Sequence, residues 1–185
     1  MSQLPSAALP GGYDDYVSIA NTADYQPTSA FSIAAWVKLD SMGAGGDNDV
    51  ILRKGDTSPN NYALAIVDGK VSLQLDAADT AGITGNTVLV TGTWYHILAT
   101  WDGTTVKLYV NGTLDNGTGT ARGGTIGIDT WPLFLGGRSG TTDCLDGVLD
   151  DVRIYNYALH SDEVSNLRFT GQARGIKVIK WAELQ

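Results

Sequence analysis

Two pairs of adjacent aspartates, Asp14-Asp15 and Asp150-Asp151, stand out as groups whose type and spacing could do chemistry. Carboxylates act as acid and base across a glycosidic bond, or as hard oxygen ligands for calcium. Glycoside hydrolysis requires two of them facing one another across the bond. Neighbours on an extended chain point to opposite faces, so Asp150-Asp151 is the wrong geometry for an opposed pair. Glu occurs only at Glu163 and Glu183, the first in a helical segment and the second near the end of the chain. His96 lies within an apolar run and reads as a structural imidazole, which leaves no convincing nucleophile-base pair with His160. The single cysteine, Cys144, excludes an internal disulfide and a cysteine-based zinc site. The chain is therefore expected to be no enzyme.

Aromatic platforms ringed by polar groups are the other chemistry on offer. Trp131 sits between Asp129-Thr130 and Pro132 in a segment that reads as a loop, and Tyr62 follows Asn60-Asn61. Trp131, Tyr62 and Asn61 are the candidate ligand-binding residues. Trp36, Trp94 and Trp101 fall inside strand patterns and are assigned to the core. Asn111-Gly112-Thr113 and Asn116-Gly117-Thr118 match glycosylation acceptors, but Asn-Gly turns account for both.

The elements that must position these groups are strands. Phe31, Ile33, Ala35, Val37 and Leu39 alternate with a second face, the period of a strand. Asp102-Gly103 and Asn111-Gly112 bracket Thr104–Val110, and Asp68-Gly69 divides Tyr62–Val67 from Lys70–Leu75; such dipeptides supply the positive φ that hairpins need. Further strands are expected at Tyr16–Ile19, Val50–Lys54, Trp94–Trp101, Leu133–Arg138 and Val148–Tyr155, with Val148, Val152 and Ile154 pointing inward. One helix is expected over Ser161–Phe169, capped by Ser161 with Asp162 and Glu163 at its positive end. Some dozen short strands with turns between them predict an all-β, two-sheet antiparallel jelly-roll sandwich.

Three segments carry a resemblance. Phe31–Lys38, the pair Trp94–Gly103 with Leu108–Gly112, and Asp146–Leu159 resemble the core strands of laminin G-like, concanavalin A-like lectin-glucanase jelly rolls, and Tyr13–Val17 is similar to their opening strand. The likeness covers about residues 10 to 170. It implies a domain at 13–170, with an N-terminal arm at 1–12 and a C-terminal arm or added strand at 171–185. In a jelly roll the first and last strands commonly pair, which would bring Asp14 or Asp15 near Asp150 or Asp151 and offers calcium as a cofactor. Where the family pattern carries Phe-Asp-Gly before its first strand, this chain reads Pro10-Gly11-Gly12.

Two functions remain open on this reading. One is a non-catalytic surface-displayed binding module for carbohydrate recognition or adhesion. The other is a structural virion protein, a bacteriophage capsid-decoration or tail component, that oligomerises through its terminal arms. Either would place the chain outside a cell or on a virion surface, with a glycan or other subunits of a surface assembly as partners; no signal peptide is visible in the sequence. A net charge of −8 argues against nucleic acid, and no apolar run is long enough for membrane insertion.

Overall fold

The computed structural model describes residues 7–9, 16–43, 48–55, 62–75, 82–124, 126–137 and 143–170. Among these described residues thirteen strands form two antiparallel sheets: β1 (Ala7–Leu9), β2 (Val17–Ile19), β3 (Phe31–Leu39), β4 (Asp49–Lys54), β5 (Tyr62–Val67), β6 (Lys70–Leu75), β7 (Ile83–Thr84), β8 (Trp94–Trp101), β9 (Thr105–Val110), β10 (Thr113–Leu114), β11 (Thr120–Ala121), β12 (Leu133–Leu135) and β13 (Gly147–Tyr155). A 3₁₀ turn spans Ala23–Tyr25, and helix α1 spans Ser161–Thr170. One sheet runs β1-β13-β3-β8-β9, with β10 and β11 sharing the outer edge of β9; the other runs β2-β12-β4-β5-β6-β7. The first segment expected as an arm thus contributes a strand, with Ala8 opposite Val148. The tail at 171–185 lies outside the described residues.

Alternation builds the core. Phe31, Ile33, Ala35, Val37 and Leu39 of β3 are buried against Leu64 and Ile66 of β5 and Val71 and Leu73 of β6, across the gap between the sheets. The other face of β3 and its neighbours carries a second, smaller cluster, in which Ala34, Leu98, Tyr109 and Tyr155 pack under Leu159, Val164 and Leu167. Helix α1 therefore lies on the outer face of the seven-stranded sheet. Its start differs from expectation: the Glu163 carboxylate accepts the His160 amide at 2.9 Å, so the cap comes from the glutamate and Ser161 is already helical.

Turn chemistry fixes the register of the hairpins. Asp68 and Gly69 adopt φ of 49° and 74°, and Asn111 and Gly112 adopt 53° and 78°, the double positive φ of a two-residue hairpin loop. At the third turn only Gly103 has positive φ, at 90°. There the Asp102 carboxylate does the bracing, accepting the amides of Thr104 and Thr105 and the Thr104 hydroxyl.

Two expectations about facing are corrected. A bulge between Asp150 and Arg153 shifts the phase of β13, so Leu149, not Val148, joins Val152 and Ile154 in the core. Of the strand tryptophans only Trp101 is inside; Trp36 opposes His96 on the outer face, and Trp94, 38% exposed, lies two pairs further along, opposite Lys38. The buried His96 ring sits 5.4 Å from the Trp36 ring.

The outer edge of β9 is closed piecemeal. Thr113 and Leu114 pair with Val110 and Tyr109, and Thr120 and Ala121 pair with Val106 and Thr105. Between them the Asn116 side chain imitates a peptide group, accepting the Leu108 amide at 2.9 Å and donating to the Val106 carbonyl at 3.1 Å. The neighbouring Asp115 is buried, and its carboxylate accepts the amides of Asn86 and Thr87 and the Thr87 hydroxyl. A Cβ at Gly85 would overlap that carboxylate, so the approach requires glycine.

Two outcomes follow for stability. Asp115→Ala should cost about 2–3 kcal/mol, since several donors lose a charged acceptor, and a urea titration measures it. The Asp102 carboxyl is held below its usual range, first by the Thr104 hydroxyl; burial, the second-largest influence, opposes this and is outweighed with the help of the Thr104 and Thr105 amides and Lys107. Its stabilising contribution is complete above the unfolded-state value and fades as pH falls through the lower folded one. The urea midpoints of wild type and Asp102→Asn should accordingly differ at neutral pH and converge on acidification below about pH 4.

Candidate functional site

The Trp131 loop is set at one end of the sandwich by β4, β12 and the 3₁₀ turn. Ile126 is buried and anchors the segment, and Leu133 pairs with both Lys54 and Ile19 as β12 begins. Between these anchors Ile128 is 73% exposed and Trp131 40% exposed. The loop backbone is held at Asp129 and Trp131. Asn21 donates its side-chain amide to the Asp129 carbonyl at 3.2 Å, and the Asp129 amide donates to the Gln26 side-chain oxygen at 3.1 Å. Gln26 in turn donates to the Asn21 side chain at 3.0 Å.

The centre of the arrangement is charged. Lys54, whose side chain has no exposure, forms an ion pair with Asp129 and donates to the Trp131 carbonyl at 2.7 Å. Asp129 Oδ1 also accepts the Trp131 amide at 3.0 Å. The exposed indole therefore stands on a residue gripped at both its N–H and its C=O. Nothing in the local sequence announces this, because Lys54 lies 75 positions from Asp129.

Tyr62 does not serve as a platform. It is wholly buried, with its ring 5.0 Å from Phe31 and its hydroxyl donating to the Tyr25 carbonyl at 2.8 Å. Burial, followed by the nearby Tyr25 and Asp129, drives its hydroxyl far above the usual phenol range. It supports the site from beneath, opposite Lys54 in the sheet. Asn61 lies outside the described residues.

Of the aspartates expected to hold calcium, only Asp150 and Asp151 fall within the described residues. Asp14 and Asp15 lie outside them. Asp151 sits in the bulge with φ of 49°, and both its oxygens accept from the Arg153 guanidinium at 2.7 Å. Asp150 is exposed opposite Trp36. Among the described residues no group of three or more His, Cys, Asp or Glu is placed to hold a metal ion.

Two concavities adjoin the sheets. A cleft of about 440 Å³ at the Trp131 end is lined by Asp24, Gln26, Thr28, Ser29 and Asn156, and Gln26 joins it to the Trp131 loop. The outer face of the six-stranded sheet carries a groove floored by Ala63 and Ala65 with Arg53, Ser72 and Gln74 around it, but it holds only about 70 Å³. Ligand clefts commonly run to about 300–1,000 Å³, which favours the first.

No curated protein sequence matches this chain. Among solved structures, a candidate carbohydrate binding protein from Bacteroides ovatus is 19% identical with a TM-score of 0.64, over 81% of this chain and 43% of that one. A sialidase of Trypanosoma rangeli is 21% identical with a TM-score of 0.59, over 80% of this chain and 24% of that one. A heptameric SAP-like pentraxin of Limulus polyphemus is 18% identical with a TM-score of 0.60, over 94% of this chain and 90% of that one. The chain thus spans less than half of the Bacteroides protein and about a quarter of the sialidase, and these likenesses show a shared fold. With the family's laminin G-like sequence pattern matching residues 10–165, the chain belongs to the concanavalin A-like lectin/glucanases superfamily.

Proposed function

We propose that this lectin-like domain is a non-catalytic carbohydrate-recognition module that takes neutral sugars on the Trp131 platform. The observation that carries the reading is the pairing of a solvent-exposed indole with a backbone held at both the amide and the carbonyl of Asp129 and of Trp131. A pyranose presents an apolar C–H face and a rim of hydroxyls, which a fixed ring flanked by Asn21, Gln26 and the adjoining cleft complements. Among the described residues the platform offers no free cation, since the Lys54 ammonium is bound to Asp129 and the Trp131 carbonyl. Asp24 lines the neighbouring cleft, so a carboxylated sugar would meet an unfavourable charge.

Catalysis is not part of this reading. Glu163 accepts bonds from the Tyr157 hydroxyl and the His160 amide at the start of α1, remote in role from any cleft. Among the described residues no second carboxylate opposes Asp24 in the lining of the 440 Å³ cleft. The carbohydrate binding named for the Bacteroides protein supports the proposal, and the likeness to a sialidase bears on the fold alone.

Affinity electrophoresis and a glycan array test the proposal directly. Saturable binding to neutral glycans is expected, weaker for sialylated forms of the same glycans, with no release of sugar on prolonged incubation. Trp131→Ala should lower affinity about tenfold, the worth of one well-stacked ring, while leaving the melting temperature unchanged. Absence of binding to any glycan, or turnover of one, would reject the reading.

A further inference from the structure

We propose that Lys54 is a positioning residue for the Trp131 platform, its buried ammonium setting the direction in which the indole meets a ligand. This rests on the carbohydrate-recognition reading and names the residue that aims the site. Lys54 closes β4 between Tyr62 of β5 and Leu133 of β12, at a level where its side chain has no contact with solvent. Its ammonium holds Asp129 Oδ1 and the Trp131 carbonyl, and the same Asp129 oxygen holds the Trp131 amide. One ion pair thereby fixes both peptide groups flanking the exposed ring. Pro132 follows with its restricted φ, and its carbonyl accepts the Gly55 amide at 3.3 Å.

As a device for stability alone the pair is poorly made. Lys54 is fully desolvated, and Asp129 Oδ2 is buried with no hydrogen-bond partner. Apolar residues of similar volume commonly serve a fold as well as such a pair, or better. The sheet also closes without it, because Leu133, Phe134 and Leu135 already pair with β4 on one side and β2 on the other. What apolar residues could not supply is a donor to the Trp131 carbonyl and an acceptor for its amide. Those are the bonds that orient the ring.

Replacing both charges together, Lys54→Met with Asp129→Leu, separates the two roles because no lone charge is left buried. The double variant should melt within about 4 °C of wild type. Its Trp131 emission, isolated by difference against Trp131→Phe in the same background, should become more accessible to acrylamide, and amide exchange over residues 128–132 should quicken. Affinity for the glycan found with wild type should fall about tenfold, as for Trp131→Ala. Asp129→Asn keeps the acceptor for Trp131 while removing the charge, so it should melt lower yet retain wild-type quenching and affinity. A folded double variant with unchanged quenching and exchange would overturn the proposal, as would loosened quenching with undiminished affinity. Collapse of the double variant would also overturn it, by showing that the pair is required for folding. If wild type binds no glycan, the functional reading fails, while quenching and exchange still decide whether Lys54 sets the ring.

Discussion

Filling the space between the two sheets commits the inward residue of every pair and leaves the outward one for other uses. On β3 the inward set is Phe31, Ile33, Ala35, Val37 and Leu39, and each meets a residue of the opposing sheet with almost no exposure. Burying a side chain of this kind is worth about 1.5–3 kcal/mol, so a slip of one residue along the strand would forfeit the whole row. Everything else in the molecule is arranged around that constraint. The helix takes the outward row at Ala34 and Leu98, and the rows beyond it carry Trp36 and Trp94.

Strand ends obey a different rule. Where the sheets run out, backbone groups lose their ladder partners and side chains must replace them. Asp102 does this within its own turn, Asn116 along the edge of β9, and Asp115 for the amides of Asn86 and Thr87. At the Trp131 end the replacement is made from a distance, by a lysine from β4. The Trp131 loop is thus an extension of the same physics that terminates the sheets.

Much of this was legible in the sequence. The alternation on β3, the Asp-Gly and Asn-Gly turns and the acidic first turn of α1 each specify their element locally, and the segments resembling known jelly rolls follow from them. What escaped is non-local or a matter of phase. The bulge at Asp150–Arg153 inserts residues that no alternation pattern reveals, so Val148 and Leu149 exchanged faces. Trp36 and Trp94 read as core because tryptophan in a strand usually packs, yet their parity on β3 and β8 sends them outward. Tyr62 beside two asparagines suggests a loop aromatic, whereas its own parity on β5 buries it. The burial of Lys54 could not be read at all, since a lysine ending a strand is ordinarily solvated and its partner belongs to a distant loop.

The patchwork on the outer side of β9 bears on how copies of the protein behave when crowded. Two strands of two residues each, joined by an asparagine amide acting as a surrogate peptide, leave that margin without a continuous row of donors and acceptors. A neighbouring molecule cannot extend the sheet there by adding a strand of its own. Any multivalent array built from this module would therefore have to assemble through other surfaces, and would stay clear of fibre growth along this border.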